Sequence, residues 1–247
     1  MSPHEIGLYA SAAVVVGVGL RMLVLVSPAD GSAAGASAGD NVGPGEVLAV
    51  VRAALARRPW VTIALFAVMA VMAVVQYAVP ATVEGLMRHP GALSDGQWWR
   101  AGTALLVQSS GIGQIAFNLP ALLVVGAIAE SILGWWRTLG VFLVSGVLAH
   151  VVSLAGWSPY GGGDSVAVGG LLGALAVICL LRPNALALPF KDIWYVLLVP
   201  ATGLFLCLLH NNHGAGLVAG CLLGLVLAAP TKTRPPIRSL RKSRPPS

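Results

Sequence analysis

Apolar residues along this chain fall into long unbroken blocks separated by short polar stretches, with no strand-like alternation. A helix needs roughly 17–25 apolar residues to cross about 30 Å of hydrocarbon. Seven blocks approach that length: Gly7 to Val26, Trp60 to Val79, Gly113 to Leu133, Trp136 to Gly156, Ser165 to Leu181, Ile193 to Leu209 and His213 to Ala229. Trp60, Trp99, Trp135, Trp136, Trp157 and Trp194 fall at or near block ends. Amphipathic rings favour the headgroup layer, so they mark the same boundaries independently. The pattern predicts an all-α polytopic membrane protein.

Composition strengthens this reading. Of 247 residues, 57% are hydrophobic and only 10% charged, against about 25% charged in soluble domains. Mean hydropathy is +0.83. Cys179, Cys207 and Cys221 lie inside apolar blocks without metal-ligand spacing, which suggests neither a disulfide framework nor a zinc site. No metal, cofactor or nucleic-acid partner is expected; the lipid bilayer is.

The net charge of +6 is informative through its distribution. Arg52, Arg57, Arg58, Arg137, Arg182, Lys191 and six further basic residues after the last block fall on one side of the predicted topology, with only Arg88 and Arg100 opposite. The positive-inside rule places that richer side, and the C-terminus, in the cytoplasm. The blocks opened by Ser165 and His213 then enter in parallel from outside. A bacterial plasma membrane is the expected location.

In chain order, residues 1–27 offer two readings. The small-residue stretch GSAAGASAG after the first block suggests a signal peptide, but the n-region lacks Lys and Arg, and Arg21 interrupts the block. An additional N-terminal transmembrane helix with Arg21 snorkelling toward the cytoplasm is preferred. Residues 28–58 form a linker ending in the basic amphipathic segment EVLAVVRAALARR, residues 59–229 the main membrane domain, and residues 230–247 a basic, proline-rich disordered tail. The segment between Val79 and Gly113 is too interrupted to span and is read as an interfacial loop anchored at the headgroups by Trp98, Trp99 and Arg100. Glu130 is read as a structural group capping the cytoplasmic turn near Trp135, and His150 as packing or interfacial.

Candidate chemistry begins at Ser165. Gly169 and Gly173 follow it at i+4 and i+8, while Gly216, Gly220 and Gly224 follow His213 at i+3, i+7 and i+11. Such small-residue stripes let membrane helices bring their backbones together, which brings a serine and a histidine to one end. A hydroxyl becomes a useful nucleophile when a neighbouring base takes its proton. The free N–H groups at a helix start favour an oxyanion. Gln114 and Asn118, at i and i+4, present two amides on one face, either as polar glue between helices or as further donors.

These residues carry a family resemblance. From Gly96 to Ala229 the chain resembles the rhomboid intramembrane serine proteases. GQWWR stands at Gly96 to Arg100, including Trp99 and Arg100; a GxSG-like GDSV runs from Gly163 to Val166, with GLLGA from Gly170 through Gly173 to Ala174. His213 is followed by Gly216 and Gly220, whereas His210 lacks such glycines.

The resemblance implies a rhomboid-like six-helix core with one extra N-terminal helix. It further implies Ser165 as nucleophile, His213 as base, and Asn118 with Gln114 as oxyanion donors. The substrates implied are transmembrane or membrane-proximal segments of membrane proteins, entering laterally beside the second and fifth core helices. Four departures stand out. Val166 replaces the second glycine of GxSG, adding a branched side chain beside the serine; Gln114 replaces the histidine of HxxxN. Gly169 stands where the family often stacks an aromatic on the histidine, and Ile132 where ExR has arginine. The alternative they raise is an inactive relative that binds membrane clients without cutting them.

Overall fold

A computed structural model describes residues 15–23, 44–182 and 193–228. Within them the chain is helical, with an isolated bridge between Arg88 and Gly161 as its only described β pairing. Residues 15–23 belong to α1; α2 is Pro44–Ala56, α3 Trp60–Ala78, α4 Ala81–Leu86, α5 Arg100–Thr103 and α6 Ile112–Leu133. Then come α7 Trp135–Val152, α8 Ser165–Leu181, α9 Ile193–Leu208 and α10 Asn212–Ala228. The six apolar blocks from Trp60 onward thus reappear as helices, and EVLAVVRAALARR falls largely within α2. Of residues 1–27, for which two readings are open, only 15–23 are described; most of the linker, the loop carrying Lys191 and the basic tail lie outside the described residues.

Three helices, α3, α6 and α7 with its continuation to Trp157, are long and apolar enough to cross a membrane. The apolar α8, α9 and α10 have 17, 16 and 17 residues. At 1.5 Å per residue each reaches only about 25 Å. α8 forms the centre: thirteen of its residues, among them Leu171, Ala174 and Leu175, are buried. α1 packs against this core through Val18, Met22 and Leu23, with Gly19 facing Leu172. Arg21 places its guanidinium 4.5 Å from the centre of the Tyr195 ring, near the start of α9.

α10 crosses α8 by backbone contact. A Cβ on Gly216, Gly220 or Gly224 would run into the backbone of Val166, Gly170 or Ala174 respectively. On α10 this is the stripe expected. On α8 the principal contact row is displaced by one residue: Val166, Gly170 and Ala174 form it, Gly173 flanks it against Leu217 and Cys221, and Gly169 is peripheral, where an added Cβ would come no nearer than 4.0 Å to Leu217. The reason is directional: Ser165 and Gly169 lie beside the contact row, and both remain half-buried.

Glu130 does not cap the turn near Trp135. It closes the start of α3, where its carboxylate accepts from the Val61 N–H at 3.1 Å, the Thr62 N–H at 2.8 Å and the Thr62 hydroxyl at 2.8 Å. Three otherwise unpaired donors at a helix start are thereby satisfied.

The segment from Pro80 to Gly111 folds as short helices and turns. Trp98 and Trp99 are exposed, as headgroup anchors would be. Arg100 turns back into the protein, donating to the carbonyls of Glu84 and Met87 and to Gln97; unsatisfied loop carbonyls outcompete the headgroup role expected of it. Arg88, 4% exposed, exchanges backbone hydrogen bonds with Gly161. Its side chain also donates to the carbonyls of Gly161, at 3.1 Å, and Ser158, at 2.8 Å. Burial pushes its guanidinium down to about 10, which leaves it charged at neutral pH. This loop is thereby stitched to the strand-like segment leading into Ser165.

Candidate active site

Ser165 is the first residue of α8, and His213 lies in the first turn of α10. Their parallel helices, crossing through glycine, bring the Ser165 Oγ to 3.0 Å from the His213 Nε2 across 48 residues of sequence. Ser165 is half-buried and His213 exposed, so the pair is accessible from outside the bundle. The other ring nitrogen, Nδ1, is 2.9 Å from the Asn211 Oδ1, which also accepts from the His213 backbone N–H at 2.9 Å.

The segment before Ser165 is held extended by hydrogen bonds from several elements. Gly161 and Gly163 take φ of 118° and 156°, in or at the margin of the region that favours glycine. The Gly163 N–H donates to the Ala104 carbonyl at 2.8 Å, and the Gly162 N–H to the Ser109 hydroxyl at 2.8 Å. At Gly163 a side chain has no room, because the Gln114 amide lies directly against it.

Gln114 is tied at both ends of its amide. Its Nε2 donates to the Gly162 carbonyl at 2.9 Å, and its Oε1 accepts from the Ser110 N–H at 2.8 Å. The second N–H of this amide makes no hydrogen bond among the described residues. Asn118 is more deeply placed. Its Nδ2 donates to the Gln108 Oε1 at 2.7 Å and to the Asp164 Oδ1 at 3.1 Å, which occupies both of its hydrogens.

Gln108 and Asp164 were not singled out from the sequence. The Gln108 Nε2 donates to the Asp164 Oδ1 at 2.7 Å, while the Gln76 side chain of α3 pairs with both backbone groups of Gln108. Asp164 is fully buried, and its Oδ2 has no hydrogen-bond partner among the described residues. A carboxylate heading an apolar block was the available signal for it. Gln108 offered none, because its partners come from α3, α6 and the start of α8.

His150 is 1% exposed, so it packs, though not at an interface. Its Nε2 lies 3.2 Å from the Gly163 carbonyl, which can only accept, and therefore carries the proton. It supports the segment preceding Ser165 from behind. Val166 does not crowd the serine: its side chain is 1% exposed and belongs to the apolar core. With Gly169 in place of an aromatic, no ring stacks on His213 from that position, and Asn211 is the side chain that holds the imidazole. No group of three His, Cys, Asp or Glu residues among the described ones forms a metal cage.

The arrangement unites an accessible hydroxyl, an imidazole within hydrogen-bond reach, a helix start and nearby amides. A family profile described as Rhomboid domain matches residues 95–230, more than half of the chain. Rhomboid protease GluP of Bacillus subtilis is 30% identical over 138 residues, covering 56% of this chain and 27% of that protein. Rhomboid-type serine protease 2 of Emericella nidulans is 31% identical over 158 residues, covering 59% of this chain and 31% of that protein. The chain therefore spans about a third or less of the length of these curated relatives. The match contains Ser165, His213, the amides beside them and every helix from α6 to α10, and on it this integral, multi-pass membrane protein belongs to the rhomboid family.

Proposed function

We propose that this protein is an intramembrane serine endopeptidase that cuts transmembrane or membrane-proximal segments of membrane proteins. The observation that carries this reading is the 3.0 Å contact between the Ser165 Oγ and the His213 Nε2 at an accessible end of the bundle. His213 takes the hydroxyl proton as Ser165 attacks the scissile carbonyl. The resulting oxyanion develops at the start of α8, where the Ser165 N–H and the Gln114 amide stand ready to donate. Collapse passes the proton from Nε2 to the leaving amine, and the acyl-enzyme is released when water, deprotonated by the same imidazole, attacks it.

Asn118 supports this chemistry as a donor only when it leaves Gln108 or Asp164. In the resting arrangement its part is to hold the floor of the pocket. The short α8 and α10 leave room above them for a substrate segment that has left the helical conformation. The C-terminal side of the bundle faces the cytoplasm in this reading, in keeping with the Arg and Lys distribution. Labelling of single cysteines at positions 137 and 91 should place them on opposite sides; labelling from the same side would remove this topology.

The direct test is labelling by a serine-reactive phosphonate together with cleavage of a transmembrane substrate in liposomes. Loss of both in Ser165→Ala supports the reading, and cleavage that survives this change removes it. A second reading, a rhomboid-like protein that binds membrane clients without cutting, draws on one observation: both amide hydrogens of Asn118 are already engaged. Under it the wild type captures clients but neither cleaves nor labels.

A further inference from the structure

We infer that Asn211 is a positioning residue for the reaction, holding His213 in the Nδ1–H tautomer so that the lone pair on Nε2 faces Ser165. The inference rests on the reading of Ser165 as nucleophile and His213 as base, and it adds a third member to that pair.

A single atom decides the matter. The Asn211 Oδ1 lies 2.9 Å from the His213 backbone nitrogen and 2.9 Å from its Nδ1. Which end of an asparagine amide is oxygen is ordinarily an assignment. Here a backbone N–H, which can only donate, requires the oxygen to face it. That oxygen can only accept, so Nδ1 must carry a proton. A neutral imidazole has one proton, which leaves Nε2 bare, 3.0 Å from the Ser165 hydroxyl. This is the tautomer a general base requires.

Asn211 is itself held. Its N–H donates to the Leu206 carbonyl at 2.9 Å, and its carbonyl accepts from the Gly214 N–H at 3.0 Å. The preceding His210 takes a left-handed φ of 53° and lies edge-on to Trp157 with ring centres 5.3 Å apart. The turn between α9 and α10 is therefore fixed on both sides of Asn211, and its side chain leaves it in one direction.

An asparagine before a helix commonly caps it by accepting from the N–H two residues on. Capping accounts for the bond to the His213 backbone, but not for the second bond to Nδ1. The two roles separate by side-chain length. In Asn211→Ser an oxygen remains to cap the helix but is too short to reach Nδ1; in Asn211→Asp one oxygen still serves both.

The experiment uses the full chain in phosphatidylethanolamine–phosphatidylglycerol nanodiscs, with 15N-labelled histidine and a transmembrane substrate. The five histidines are distinguished by difference against His213→Ala. In the wild type the His213 Nδ1 should give a pyrrole-type signal and Nε2 a pyridine-type signal. Asn211→Ser should mix the tautomers and lower kcat by about 10- to 100-fold, the scale on which losing its outer partner weakens a metal-bound imidazole. Thermal stability should change little, and Asn211→Asp should restore both the signal and most of the rate.

An Nε2–H tautomer in the wild type overturns the inference, even if Asn211→Ser fails to fold. So does a folded Asn211→Ser with the wild-type histidine spectrum and rate, which would leave Asn211 a cap alone. Cleavage that survives Ser165→Ala, or a wild type that does not cleave, counts against the proteolytic reading instead. In either case the histidine spectrum still decides what Asn211 holds.

Discussion

Gly220 of α10 meets Gly170 of α8 with no side chain between them, so two helices touch backbone to backbone in the middle of the protein. The same helices carry His213 and Ser165 at their starts. The spacing of the pair is thus set by a contact about one and a half to two turns deeper.

A methyl group at Gly220 has nowhere to go. Overpacking of this kind costs about 1–3 kcal/mol, and spreading the helices parts Ser165 from His213. Gly220→Ala should therefore lower both the melting temperature and the labelling rate of Ser165. Gly169→Ala, where a Cβ would only touch Leu217 at 4.0 Å, is the control; by helix propensity it should be neutral or more stable by about 0.5–1 kcal/mol. Equal behaviour of the two variants would contradict this account of the crossing.

Ser165→Ala and His213→Ala should each abolish cleavage, and the double variant should be little worse than either, because residues that act as a unit are non-additive. Steady-state rates on one transmembrane substrate measure this. Additive losses would mean that the 3.0 Å contact is not the working pair.

Gln114→Ala removes the amide that lies against Gly163, two residues before Ser165, and loss of one oxyanion donor typically costs about 10²–10³ in rate. Gln114→His returns the imidazole of the family pattern and should match or exceed the wild-type rate. A Gln114→Ala protein with wild-type kcat would take Gln114 out of the oxyanion pocket and leave the backbone N–H as the principal donor.

Glu130→Ala leaves the Val61 and Thr62 N–H groups and the Thr62 hydroxyl without their acceptor. Unsatisfied donors of this kind cost about 1–3 kcal/mol, so the melting temperature should fall. The rate of the folded protein should not change, because Glu130 stands twelve residues along α6 from Asn118, about 18 Å at helical rise. A fall in kcat without a fall in stability would assign Glu130 a different role.

The membrane helices were legible from the chain alone. Their requirement is local: each must be apolar over about the thickness of the hydrocarbon, and tryptophans mark where it ends. The Ser165 and His213 helices were legible for a related reason, since regularly spaced glycine announces a face that admits another backbone. The row of α8 that uses this closeness was decided only by packing, which favoured Val166, Gly170 and Ala174 over the serine's own row and left Ser165 half-buried beside it.

The polar floor of the site belongs wholly to the tertiary structure. Gln108 and Asn118 meet Asp164 across 56 and 46 residues, and Arg88 reaches Gly161 across 73. Glutamine, asparagine and aspartate follow no periodicity that marks their partners. Their pairing is imposed by the cost of leaving polar groups unsatisfied in an apolar interior, a cost that exists only once the helices have closed around them.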